Sequence, residues 1–290
     1  MLKTSTEIGS IAKTVGEEKA VELVARAGFD AWDLSLFRMV SYDWKTKSCV
    51  PTDHIYASDK AFDFVKKLRK IGEEYGITCN QAHAPFPTSH PDILAQCEKA
   101  LALTAEAGGK ICIVHPDNNK NAEENAEIYV KLLDAAKKHG VKIATENMWN
   151  WDYEKGIATP AACSDPKSFV DHINAVNDEF FVACLDIGHA EMEGLNTTAP
   201  EMIYALGNSL QALHIHDNDK KNDSHCIPFS MNIDFGAVAK ALKEIGYSGY
   251  LTLEADTHMN RFKDQPENAF IGVKELADSA KRFAELVENA

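Results

Sequence analysis

The chain has 290 residues, 45% apolar and 26% charged, a profile that excludes a disordered polymer and leaves room for one large α/β barrel or two smaller domains. Its formal charge of -14 argues against nucleic acid as a partner, because such binding draws on Lys and Arg to neutralise phosphates. The seven cysteines form no Cys-x-x-Cys pair, no apolar run reaches membrane-spanning length and the start at Met1 lacks a signal-peptide core, so the sequence predicts a cytoplasmic protein without thiolate zinc or redox chemistry and without membrane contact.

Strand-like and helix-like segments alternate along the chain. Strands are predicted at 3–9, 31–36, 77–83, 110–115, 141–146, 181–186, 211–216 and 250–254, where β-branched and apolar residues cluster. Amphipathic stretches at 17–27, 59–75, 91–107, 123–139, 165–176 and 235–245 lie between them, and Gly28, Gly76, Gly108, Gly140 and Gly246 stand where helices stop. Eight strands with return helices predict a (β/α)8 TIM barrel, and the absence of a linker predicts a single domain over 1–290. Two connections after strands, 37–57 and 148–164, are unusually long and fall where a barrel keeps its working loops. Tyr42, Trp44 and Tyr56 in the first and Trp149, Trp151 and Tyr153 in the second either wall a sugar site or anchor their own loops.

Four apolar runs end in a potential metal ligand: KIATEN at Glu146, FFVACLD at Asp186, LQALHIHDN at His214 and YLTLEAD at Glu254, separated by 40, 28 and 40 residues. A parallel strand buried on both faces should be apolar throughout, so a charge at its carboxyl end is costly unless something pairs with it. A divalent cation held by all four would do so. Such mixed oxygen and nitrogen donors suit Mn, Zn, Co, Fe or Mg. Strand alternation puts His216 on the same face as His214, which makes it the rival imidazole ligand. His83, His115, His189 and His225 also lie at or near strand ends and converge on the same mouth, forming a polar pocket for hydroxyls or further ions.

The order HAPF, VHP, TEN, LDIGHA, LHIHDND, DSH followed by NIDF, then LEAD resembles the xylose isomerase-like barrel superfamily over nearly the whole chain. That superfamily groups sugar isomerases, ketose 3-epimerases, inositol-pathway enzymes and type IV apurinic endonucleases. The resemblance implies that Glu146, Asp186, His214 and Glu254 are shared metal ligands, that Glu146 and Glu254 are the acid/base pair, and that His189 orients substrate. It also implies that His83, His115, Asp223 and His225 contact substrate in the sugar enzymes or hold extra zinc in the endonucleases; Trp149 and His216 complete the candidate substrate contacts. Ile227 to Met231 replaces the common Pro-Gly-x-Gly turn, and Lys220 and Lys221 stand near where an arginine is often found, so the particular substrate does not carry over.

The reaction expected is epimerisation or aldose-ketose isomerisation of a neutral sugar or polyol. Lewis-acid stabilisation of an enediolate would make carbon deprotonation feasible near neutral pH, with Glu146 and Glu254 on opposite sides of the carbon. The alternatives are a phosphodiesterase of the endonuclease IV type, a related keto-inositol or keto-sugar dehydratase or lyase, and a noncatalytic sugar-binding barrel. By analogy with the relatives, a homo-oligomer stays open.

Overall fold

Each predicted strand forms, though often shorter than the apolar run that announced it, in the computed structural model of residues 1–290. The chain starts with β1 (Thr4–Thr6), α1 (Gly9–Val15), α2 (Glu17–Ala27) and β2 (Ala31–Ser35). The predicted strand 3–9 is cut short because Gly9 already opens a helix. The first long connection is no open loop: β3 (Ser41–Asp43) and β4 (Ser48–Val50) pair as an antiparallel hairpin before α3 (Ala61–Glu74). Next come β5 (Thr78–His83), α4 (Pro91–Ala107), β6 (Ile111–Ile113), α5 (Ala122–His139) and β7 (Lys142–Glu146). The second long connection likewise pairs β8 (Trp149–Asp152) with β9 (Ile157–Pro160) ahead of α6 (Pro166–Val176). The last part holds β10 (Phe181–Asp186), α7 (Ile187–Ala190), α8 (Ala199–Leu206), β11 (Leu210–His214), α9 (Phe235–Glu244), β12 (Leu251–Leu253) and α10 (Ala269–Asn289).

Local chemistry sets the helix ends. Asn121 and Glu124 form a capping box on α5, Thr198 and Glu201 form another on α8, and Asp165 caps α6. Gly108 and Gly140 end α4 and α5 at φ of 92° and 64°, left-handed backbone that residues with a Cβ enter at a cost.

Six strands form a parallel sheet in the order β11-β10-β7-β6-β5-β2, and β1 pairs with β12. Single bridges from Glu7 to Asp33 and from Ile215 to Leu253 join the two sheets, so the ring closes as a TIM barrel. Alternate residues face in and out. Trp32, Leu34, Ile143, Ala183, Leu185 and Leu213 belong to the large core under the helices, while Ile113, Ala144, Val182, Cys184 and Ala212 form a separate small cluster inside the ring.

The opposite inner wall is polar. The register between β2 and β5 slips at Asn80, a bulge that turns both Asn80 and Gln81 into the ring. Asn80 accepts from Ser5 Oγ at 2.6 Å and donates to Thr252, while Gln81 donates to Asp33 Oδ2 at 2.9 Å. This buried network rises from the barrel floor to the carboxyl ends of the strands, where the candidate ligands sit.

Candidate active site

Two adjoining clusters of imidazoles and carboxylates fill the carboxyl end of the ring. The first is built on Glu146, the last residue of β7 and only 1% exposed. Its Oε1 accepts a hydrogen bond from His214 Nδ1 at 2.8 Å, and its Oε2 lies 3.0 Å from His115 Nε2 and 3.6 Å from His83 Nε2. His214 Nδ1 is also 3.3 Å from Glu254 Oε2, while its Nε2 faces Asp33 Oδ2 at 3.6 Å. The second cluster gathers around Asp186 and Asp223. His216 Nε2 stands 3.1 Å from Asp186 Oδ1 and 3.4 Å from Asp223 Oδ1, and His225 and His189 approach Asp223 at 3.2 and 3.3 Å.

The quartet expected from sequence is therefore divided. His214 joins Glu146 and Glu254, whereas Asp186 pairs with His216. The reason lies just after β10. Asp186 caps the short helix α7 by accepting from His189 N–H, and the Asn147 side chain clamps its backbone N–H and C=O at 2.8 and 2.9 Å, which aims its carboxylate toward His216. The His216 ring lies against the backbone of Gly188, where a methyl group would overlap it.

Electrostatics separates the two glutamates. Burial alone would raise the Glu146 carboxyl, but the His214 charge and the approach of His115 and His83 hold it well below the ordinary carboxylate range. Glu254 is raised, burial outweighing the attraction of His214 and His225. Burial and the neighbouring His83 push His115 down to about 4. In the second cluster Asp186 and Asp223 outweigh burial and push His189 up to about 10, with His225 raised well above its usual value by Asp223.

Glu146 Oε2, Asp186 Oδ2, His214 Nε2, His216 Nε2 and Asp223 Oδ1 are buried and make no aligned hydrogen bond within the protein. Buried polar atoms are normally paired, and four of these five meet only misaligned neighbours at 3.0 to 3.6 Å, an arrangement that leaves their lone pairs open to a ligand. Carboxylate and imidazole donors with no Lys or Arg lining the cavity above them fit a divalent cation.

That cavity, about 430 Å³, has Glu146, His83, His115, His189, Asp223, His225 and Glu254 on its polar side and Phe37, Trp44, Phe86, Met148 and Trp149 on its apolar side. Of the aromatics singled out in the two long connections, only Trp44 and Trp149 reach it. Tyr56 is buried and anchors its loop, Trp151 packs on a small cluster of Ala158, Met192 and Leu195, and Tyr153 is 90% exposed at the hairpin tip. Tyr42 stacks edge-on against Trp44 and His90. Sequence reasoning missed Asp33, a charge inside the apolar run of β2 of the same kind that betrayed Asp186, and it missed Gly188, whose role depends on a ring packed from another strand.

The model of the family described as "Xylose isomerase-like TIM barrel" matches residues 21–279. The uncharacterized protein MJ1311 of Methanocaldococcus jannaschii is 25% identical over 253 residues, 81% of this chain and 78% of its own. Among solved structures, the IolI protein with a bound zinc atom superposes with a TM-score of 0.70 at 18% identity, covering 99% of both chains. A D-tagatose 3-epimerase-like protein superposes with a TM-score of 0.66 at 22% identity, covering 92% of this chain and 97% of its own. With a family match over residues 21–279, the chain belongs to the xylose isomerase-like TIM barrel family.

Proposed function

We propose that this protein is a divalent-metal-dependent epimerase or isomerase of an uncharged keto sugar or polyol, with Glu146 and Glu254 as its acid/base pair. The observation that carries the reading is geometric: two carboxylates from different strand ends, Glu146 and Glu254, face one cavity and approach the same His214 Nδ1 at 2.8 and 3.3 Å, a pairing suited to taking a proton with one and returning it with the other. The cavity has no Lys or Arg to meet a phosphate or carboxylate on the substrate. For a cation held by Glu146, Asp186 and Glu254 the imidazole favoured is His216 rather than His214, because His214 Nδ1 already stands between Glu146 and Glu254 while His216 Nε2 faces the Asp186 carboxylate. The zinc in the solved IolI structure is consistent with such a site, and the choice among Mn, Zn, Co, Fe and Mg rests with metal analysis.

A bound divalent cation supplies Lewis acidity to a substrate carbonyl and so acidifies the carbon beside it. Glu146, ionised, takes the proton from that carbon. Glu254, which lines the same cavity, delivers a proton to the opposite face, or to the neighbouring atom in an aldose-ketose isomerisation. His214 ties the two carboxylates together through Nδ1. His189, held by Asn147 O at Nδ1 and by Asp223 at Nε2, lines the wall on which substrate hydroxyls rest, with Trp149 beside it. Turnover in deuterium oxide should place deuterium at the reacting carbon; product free of deuterium would remove the proton-transfer mechanism.

A phosphodiesterase of the endonuclease IV type is favoured by one observation, the presence of two further ligand groups, His83–His115–Glu146 and His189–His216–Asp223–His225. The acidic surface and the cavity without basic side chains oppose it. Three zinc ions per chain together with cleavage of abasic DNA would establish that reading.

A further inference from the structure

A second depression, about 550 Å³, opens beside the cavity just described, and Asn118 lines both. Asn118 donates from Nδ2 to Trp149 O at 3.0 Å, so β8 runs along the divide with Trp149 on the cavity side and Asn150 on the other. The depression lies between the start of α5, the end of β9 and the first turns of α6.

Its lining is unlike that of the cavity. It has no aromatic ring apart from the imidazole of His172, and its hydrophobic members are small side chains and a proline. Asn118, Asn119, Asn150, Asp165 and Ser168 dominate the approach. Several of their polar atoms remain open: Asn118 Oδ1, Asn119 Nδ2 and Ser168 Oγ make no hydrogen bond within the protein, and Asp165 spends only Oδ1, on the Ser168 N–H. The two lysines are paired, Lys120 with Asp117 and Lys167 with Asp171, so no free cation invites an anion. A mixed set of neutral donors and acceptors, beside the carboxylates of Glu123 and Asp165 and an Asp171 paired with Lys167, matches a surface of hydroxyl groups that both donate and accept.

We propose that this groove is a second sugar subsite: the substrate is a glycoside whose keto ring reacts in the cavity while its second ring lies in the groove, the glycosidic link passing over Asn118. This rests on the reading of the first cavity as a keto-sugar site, and it adds the substrate's size and the place of its non-reacting half. Hydrogen bonds made to the second ring alone would raise affinity for the whole molecule without touching the reacting carbon.

The test is calorimetric and independent of turnover. Metal-loaded protein is titrated with D-fructose and with three fructose-containing disaccharides, lactulose, isomaltulose and turanose. At least one disaccharide should bind tenfold or more tightly than D-fructose. Asn119→Ala, which removes an exposed amide, and Ser168→Tyr, which fills the groove, should each bring that ratio close to one. Equal affinity for D-fructose and all three disaccharides, or a preference that survives both variants, overturns the subsite. Loss of all deuterium incorporation while the binding ratio and its collapse persist would overturn the proposed reaction and leave the subsite standing.

Discussion

The two imidazole clusters differ in what holds their histidines. Around Glu146, His83 and His115 approach each other at 2.8 Å and share a single carboxylate oxygen between them, and His115 is pushed down to about 4. Around Asp186 and Asp223, two carboxylates serve three histidines, and His189 and His225 are raised. The lowered His115 imidazole is free to ligate without losing a proton, whereas the raised His189 and His225 must give one up to do so. His214 sits in the first cluster and His216 in the second, although His216 follows the end of β11 at His214 by only two residues. The comparison teaches that the HIH motif has two jobs: one ring binds the Glu146 and Glu254 carboxylates together, and the other faces the aspartates.

The largest effect expected follows from breaking the first cluster at its centre. Glu146→Gln should lower kcat by about a thousandfold, within the span of general acid–base catalysis, in a chain that still folds by circular dichroism; retained turnover removes Glu146 from the mechanism. The division between the two histidines is sharpened by a paired experiment. His216→Ala should cost more than the roughly 10- to 100-fold in metal affinity typical of losing a supporting contact, while His214→Ala should keep the metal and lose rate, measured by metal content alongside kcat. The reverse pattern would restore His214 as the ligand. Gly188→Ala, which crowds the His216 ring, should reproduce the metal loss without altering any donor.

Trp149→Ala probes the apolar wall that both clusters share. It should raise KM by up to about tenfold, the value of one aromatic contact, with kcat little changed; unaltered kinetics would make Trp149 a scaffold residue. The smallest effect on turnover is expected at Glu7, which lies outside both clusters. Burial, offset in part by hydrogen bonds from Ser10, pushes its carboxyl up to about 7 from 4.5. The folded state therefore holds a proton that the unfolded chain has released, and stability must fall as pH rises from about 4.5 to about 7, by about 3 kcal/mol in total. Denaturant melts of Glu7→Gln should lack that decline, and an identical pH profile in both proteins would show that Glu7 is ionised throughout.

The strands were legible because each apolar run had to be buried on both faces, and the metal-type residues were legible because a charge ending such a run needs a reason. Asp33 obeys the same rule within AWDLS and could have been found by it. The hairpins β3–β4 and β8–β9 were not legible: their strands are three or four residues long and half-exposed, too short for alternation to stand out from loop composition. The polar inner wall was equally hidden, since it depends on a bulge at Asn80 that only strand pairing creates.

By itself the sequence determined the eight-stranded ring, its acidic character and which residue types meet at its open end, since burial and strand period are properties of short segments. Which histidine faces which carboxylate was decided only in three dimensions. His214 ends β11 and His216 lies two residues beyond it, and the alternation of the chain alone does not distinguish them. The distinction comes from β7, which brings Glu146 to His214, and from the turn after β10, where the cap of α7 aims Asp186 and Gly188 leaves space for the His216 ring.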